Sequence, residues 1–358
     1  MSTKEEKIKN FDPSQPGLAD ATIFGLPFTA DESEIIVVPV PWEVTVSYGA
    51  GASLGPKAIF DASFQVDLLH EEFPDLWKAG IFMDEISEDC LFESKRLKAL
   101  AQPIIESLEH GEDVQSLPVL NANQDAINRA SASLNKHIEE RVQSWMAQGK
   151  KVILLGGDHS TPLGYYNALA ANCANFGILH FDAHMDLRDA YEGFTYSHAS
   201  IMFNTIKLPQ VTKLIQVGVR DFCEQEVALA KESEKIHVFT DAYLKSKQFE
   251  GDNWQSQVDH IINLLPEHVA ISFDIDALYQ WYCPNTGTPV PGGLSYEQVT
   301  YMLSKLATSN KKIIGIDLVE VAPGDDEWDG NVGARLLFHL CGIFAKNNGF
   351  DTGEKIQF

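Results

Sequence analysis

The sequence predicts an α/β protein: a single domain on a doubly wound, mostly parallel β-sheet with helices on both faces. Three observations carry that reading. Short, β-branched apolar runs recur along the chain, as in Ile35-Ile36-Val37-Val38-Pro39-Val40. Segments of helical patterning separate them, and apolar runs of about four to seven residues between helices mark strands buried on both sides. No internal repeat or low-complexity linker interrupts the series, so one domain accounts for most of the 358 residues.

Taken in order, residues 1–33 read as an N-terminal arm, turn-rich around Asp12-Pro13-Ser14-Gln15-Pro16-Gly17, and residues 34–358 as the domain. The first strand is 35–40. Ser53 is placed to cap a short helix over 54–62. Residues 80–84 read as a second strand, 86–120 as irregular apart from a helix near 94–109, and 122–147 as a long helix. Gly149 can close that helix, because glycine takes the left-handed conformation without steric cost. Strands follow at 151–155, 176–181, 213–219, 236–239, 269–273 and 312–317. Helices are expected from about Thr161 and near 224–233, 253–265, 295–308 and 332–347.

Composition narrows the function. Lys and Arg number 27 against 51 Asp and Glu, a net charge of −24. A field of that sign repels nucleic acid and anionic membrane surfaces and favours a cationic ligand. Cys90, Cys173, Cys223, Cys283 and Cys341 form no closely spaced pair, which fits reduced thiols in a cytoplasmic setting. The charged start Met1-Ser2-Thr3-Lys4-Glu5-Glu6-Lys7 lacks the apolar stretch of a signal peptide. No segment approaches the roughly 18 apolar residues of a membrane span.

In open parallel sheets, ligands sit beyond the carboxyl ends of the strands. Gly156-Gly157-Asp158-His159-Ser160 follows the strand at 151–155. Asp182-Ala183-His184-Met185-Asp186 follows 176–181, Asp274-Ile275-Asp276 follows 269–273, and Glu320 follows the last strand. Each motif alone has a plain structural explanation: a capped turn, a polar loop, an acidic helix start. Together they crowd carboxylates at buried strand ends with no Lys or Arg inside the motifs, Arg188 being the nearest. A pair of divalent cations relieves that repulsion. Alternate residues of an extended chain point the same way, so Asp182, His184 and Asp186 can converge. Mixed carboxylate and imidazole donors suit Mn²⁺ or a similar borderline ion, and two such ions generate hydroxide at neutral pH.

These motifs occur in the order and spacing of the arginase/agmatinase (ureohydrolase) family. Ser272-Phe273-Asp274-Ile275-Asp276-Ala277 and Val319-Glu320-Val321-Ala322-Pro323 also resemble its motifs. So do Pro39-Val40-Pro41-Trp42 with Ser47-Tyr48-Gly49, and Gly287-Thr288-Pro289-Val290-Pro291-Gly292-Gly293-Leu294. The likeness runs from about 34 to 345. It implies an arginase-like fold holding two divalent ions, manganese first and nickel as the alternative. His159 and Asp186 would hold one ion, His184 and Asp276 the other, and Asp182 and Asp274 would bridge them. Asp186 would also pass a proton to the leaving nitrogen, and His198 matches a proton-shuttling loop histidine. Glu320 would orient the substrate, for a carboxylate takes a guanidinium through paired hydrogen bonds. The implied assembly is a homotrimer or homohexamer.

The implied reaction releases urea and an amine from a small cationic guanidino substrate. The Asn- and Ser-bearing loop with which arginase grips an α-amino acid is missing. Leu187-Arg188-Asp189-Ala190-Tyr191-Glu192-Gly193-Phe194-Thr195-Tyr196-Ser197-His198 looks instead like the agmatinase loop. Agmatine, giving putrescine, is the expected substrate. Arginine, another guanidino acid or guanidine is the alternative, and a formimidoylglutamase activity stands further off. Two departures from the family bear on this. Tyr279-Gln280-Trp281-Tyr282 replaces an Asp-Pro, as loop packing or as an aromatic wall to the substrate tail, and Ala322 stands where the family often has Asn.

Overall fold

The computed structural model describes residues 3–17 and 21–358. Among them, eight strands form one sheet. They are β1 (Ile35–Val40), β2 (Ile81–Met83), β3 (Lys151–Gly156), β4 (Phe176–Phe181), β5 (Val211–Val219), β6 (Ile236–Thr240), β7 (His268–Asp274) and β8 (Lys312–Val319). The spatial order is β2-β1-β3-β8-β7-β4-β5-β6, and every pairing is parallel. Parallel pairing needs crossovers, and the helices supply them. In chain order these are α1 (Lys4–Asn10), α2 (Gly55–Ser63), α3 (Glu88–Glu109), α4 (Pro118–Ala147), α5 (Leu163–Asn172) and α6 (Ile201–Thr205). Then come α7 (Glu224–Glu232), α8 (Asp241–Phe249), α9 (Trp254–Leu264), α10 (Tyr296–Ala307) and α11 (Trp328–Asn347).

Successive side chains of a strand point to opposite faces, so each strand serves two cores. Ile35, Val37, Ile153, Leu155, Leu179 and Phe181 pack with Ile59 of α2, Ile261 of α9, Met302 of α10 and Leu336 of α11. Ile36, Val38, Leu154 and Ile178 pack with Leu97 of α3, Ile127 of α4 and Tyr165 and Tyr166 of α5. Each such fully buried aliphatic side chain contributes about 1.5–3 kcal/mol. This three-layer arrangement is the doubly wound sheet expected from the sequence.

Several local expectations need correction. Ser53 does not cap α2: its N–H and that of Gly51 are bound by the buried Glu43 carboxylate, and the helix starts at Gly55-Pro56. Helix α3 begins well before residue 94, because the Ser87 hydroxyl accepts the Cys90 N–H and acidic residues fill the first turn. Helix α8 escapes a periodicity reading because, of its residues, only Leu244 is buried. Gly149 does close α4, at φ +79°, with its N–H on the Met146 carbonyl. Residues 1–2 and 18–20 of the expected arm lie outside the described residues. The remainder packs on this same chain. Phe11 meets Trp77 at 5.3 Å, and Ile23, Phe24, Leu26 and Phe28 are buried.

The strands that precede the candidate ligands, β3, β8, β7 and β4, are four neighbours in the middle of the sheet. Their carboxyl ends therefore open onto one place.

Candidate metal centre

At that edge the main chain brings side chains from four segments together. His159 Nδ1 lies 3.0 Å from Asp182 Oδ2, 3.1 Å from Asp186 Oδ2 and 3.2 Å from Asp274 Oδ2. All four residues are buried. Yet His159 Nδ1 donates to none of these oxygens and has no hydrogen-bond partner. Three carboxylate oxygens gathered around one imidazole nitrogen, off its bonding axis, form a donor set suited to a cation rather than to a hydrogen bond. A second group adjoins it: His184 Nδ1 lies 3.3 Å from Asp182 Oδ1 and 3.1 Å from Asp276 Oδ2. Asp182 thus presents one oxygen to each group. Asp274 has one oxygen in the first group, and its other accepts the Asp276 N–H at 2.8 Å.

Backbone geometry fixes these positions. Asp186 and Glu320 sit at φ 54° and 64°, a conformation that costs a non-glycine residue about 1–3 kcal/mol and is held by its surroundings. The Ala183 N–H donates to Asp276 Oδ1 at 2.9 Å, tying the two ligand loops together.

Beneath the cluster runs a polar row that sequence reasoning missed. Gln216, His180, Ser272 and Asp317 are in register on four adjacent strands. Gln216 Nε2 donates to His180 Nδ1, and His180 Nε2 donates to Asp182 Oδ2 at 2.9 Å. Both nitrogens of His180 are therefore occupied, and it orients Asp182 rather than offering a donor of its own. On the other side, the Ser272 hydroxyl donates to Asp317 Oδ1 at 2.8 Å and so accepts from His159 Nε2 at 3.0 Å. Tyr166 donates to the other Asp317 oxygen. This relay fixes a proton of His159 on Nε2 and leaves Nδ1 as the nitrogen turned toward the carboxylates.

Burial pushes Asp274 up, and the charges of Asp276 and Asp182 push it further. Burial and Asp182 raise Asp186 to about 7. Burial also acts to raise Asp182, but His180, His159 and His184 hold it well below the usual carboxylate range. For the two histidines burial acts downward and the carboxylates prevail, leaving His159 well above its usual value and His184 at about 12. In chelator-treated protein this has a signed consequence. Above pH 6.5 the unfolded chain has released the protons that folded His159 and His184 keep. Their stabilisation is full below that pH and is lost as pH rises toward the folded values. The buried His180 and His198, pushed down, act in the opposite sense, but only below 6.5. The melting temperature of chelated protein is expected to fall from pH 6.5 to about 9 in differential scanning fluorimetry. A rise across that interval contradicts the protonation pattern.

Above the cluster a cavity of about 340 Å³ opens between the loops. His159, His184, Asp186 and Asp274 line it, with Glu320 and His198 beside them. Glu320 Oε1 accepts the His159 N–H at 2.8 Å, leaving Oε2 uncommitted. Burial and Asp158 raise its carboxyl. His198 Nδ1 lies 3.3 Å from the Thr45 hydroxyl, and burial with the nearby His184 and His159 pushes His198 down to about 3. Asp158, by contrast, accepts from Ser160 in its own turn and from the Val44 N–H of the loop after β1. The rim carries Tyr48, Arg188, Tyr191, Asp221, Phe222 and Glu226. Tyr279 and Trp281 do not line the cavity; their rings stack on each other at 4.3 Å. A larger cavity of about 830 Å³, between residues 21–29, α2 and the start of α3, contains none of the clustered ligands.

Residues 33–342 match the arginase family, and the chain belongs to it. It is accordingly a hydrolase of linear amidine carbon–nitrogen bonds, a ureohydrolase. Members of this family depend on a dinuclear metal centre, and a buried His/Asp cluster able to hold metal is present in this chain. The chain is 29% identical to N(1)-aminopropylagmatine ureohydrolase of Thermus thermophilus over 324 residues, 90% of this chain and 94% of that protein. It is 28% identical to the agmatinase of Bacillus anthracis, over 84% of this chain and 87% of that protein. The agmatine ureohydrolase of Thermoplasma volcanium shares the fold at a TM-score of 0.67 and 22% identity, covering 96% of this chain and 98% of that one. Among the described residues, no helix is long and apolar enough to cross a membrane.

Proposed function

We propose that this chain cleaves a guanidinoalkylamine, agmatine or its aminopropyl-extended form, into urea and the corresponding amine. The observation that carries the reading is Glu320, which lines the cavity whose floor is the two-part His/Asp cluster and whose Oε2 accepts no hydrogen bond among the described residues. In this reading His159 and Asp186 would hold one divalent ion and His184 and Asp276 the other, with Asp182 and Asp274 serving both groups. Manganese suits this oxygen-rich set with one imidazole on each side, and nickel is the alternative. When bound, such a pair supplies a nucleophilic water at neutral pH and stabilises the charge that develops at the guanidinium carbon.

The chain's own residues do the rest. Glu320 grips the planar guanidinium through charge-assisted hydrogen bonds, fixing its carbon over the cluster. Asp186, which borders the cavity beside His159, takes a proton from the attacking water and returns it to the leaving nitrogen. His198 is neutral at working pH. Its Nδ1 faces the Thr45 hydroxyl, and Nε2 is the nitrogen left to move a proton to bulk water.

The rim supports an amine tail rather than an amino acid. Asp221 and Glu226 offer negative charge, and Tyr48, Tyr191 and Phe222 offer aromatic faces to a cation. Among the described residues Arg188 is the one basic residue of the rim, and it leans toward Glu226 at 3.8 Å and over the Tyr191 ring. The names of the two relatives point the same way. Urea release should be assayed with agmatine, N(1)-aminopropylagmatine, arginine, 4-guanidinobutyrate and guanidine, after reconstitution with Mn²⁺ or Ni²⁺. The highest kcat/KM is expected for one of the first two. A higher value for arginine or 4-guanidinobutyrate rejects the amine-tail reading. The same samples, run on a sizing column, test the homotrimer or homohexamer carried over from the resemblance.

A further inference from the structure

Arg220 follows β5, outside every ligand motif. It makes no ion pair among the described residues; its guanidinium is bound to main-chain carbonyls throughout. Nε and Nη2 donate to the Val290 carbonyl at 3.1 Å, Nη1 to Gly218 at 3.0 Å, and Nη2 to Asp276 at 2.6 Å. A longer contact, 3.4 Å, reaches Leu278. The main chain of the same residue holds a further segment: the Arg220 N–H donates to the Ala183 carbonyl at 2.7 Å, between Asp182 and His184. One residue thus clasps the His184 loop with its backbone and the Asp276 turn with its side chain. Among the described residues it makes no hydrogen bond or ion pair with His159, Asp186 or Asp274, and through Val290 it also anchors a wall of the substrate cavity.

From this geometry we propose that Arg220 is the positioning residue for the His184–Asp276 half of the centre. It sets the separation of those two donors and thereby the affinity of one ion without that of the other. The proposal rests on the reading of the cluster as a two-ion site. The physical reason is the shape of the donor. A planar guanidinium presents five N–H groups in a fixed fork and can span carbonyls from three segments at once. An ammonium places its three donors at one point and cannot.

The test is a titration of chelator-treated full-length protein with Mn²⁺, followed by calorimetry and by the electron paramagnetic resonance signal of coupled Mn²⁺ pairs. Wild type, Arg220→Lys and Arg220→Met are compared. Wild type is expected to take two ions. Both variants should keep the first with unchanged affinity, bind the second ~10–100-fold more weakly, and lose the coupled-pair signal at low metal. Arg220→Lys should not rescue, despite keeping the charge. Two wild-type affinities in either variant overturn the proposal, and so does equal weakening of both sites. Loss of the folded metal-free state in both variants also overturns it, since Arg220 then serves the fold rather than one ion. A wild-type protein that takes up no ion overturns the two-ion reading itself, and this proposal with it.

Discussion

Asp274→Ala protein is expected to purify without its metal pair and to release urea at less than about a thousandth of the wild-type rate. Asp274 stands at the meeting of the two groups. One oxygen is 3.2 Å from His159 Nδ1, and the other holds the N–H of Asp276. Removing it deletes a donor from the His159 side and frees the turn that aims Asp276. The stability of chelated protein should change little. Burial, Asp276 and Asp182 all penalise ionised Asp274. Removing Asp274 relieves that repulsion but leaves the buried Asp276 N–H without its acceptor, a cost of about 1–3 kcal/mol, so the two effects oppose each other. Metal content by mass spectrometry, a urea assay and a melting curve with chelator together decide the matter. A variant that keeps two ions and activity within tenfold of wild type sinks the ligand role.

The second large effect is expected at Glu320, with the opposite metal outcome. Glu320→Gln should keep both ions and lose about 10²–10³-fold in kcat/KM, because a neutral amide replaces a charge-assisted grip on a cation. Glutamine can still accept the His159 N–H that Glu320 Oε1 accepts now. Alanine cannot. Glu320→Ala should therefore also retain metal and lose turnover, but with an additional cost of about 1–3 kcal/mol in stability from the unpaired, buried N–H. The comparison separates charge from packing. Normal turnover by either variant rejects the guanidinium assignment.

Much of this was legible in the chain because strand ends leave a sharp trace. His159, Asp182, Asp274 and Glu320 each follow an apolar run of the right length, and a parallel sheet delivers all such ends to one edge. The polar row below was not legible. His180, Ser272, Gln216 and Asp317 are single polar residues inside apolar runs, where each looks incidental. Only strand register shows that they touch. A signal existed all the same: His180 and Ser272 each stand two residues before an aspartate proposed as a ligand, on the same face of the strand. Arg220 left no trace, since its partners are carbonyls, which every residue has. The misplaced start of α3 and the missed α8 have an ordinary cause. Capping by Ser87 and Thr240 outweighed weak amphipathic patterning.

Gly157 bears on any attempt to retrain this enzyme. A methyl group placed there would stand 1.9 Å from the Trp42 carbonyl oxygen, and the Gly157 carbonyl receives the Glu320 N–H. Randomising that crossing would evict the floor of the pocket from its seat. Libraries aimed at other guanidino compounds should draw their diversity from the rim, at Arg188, Tyr191, Phe222 and Thr288, where side chains border open space and no ligand hangs from them.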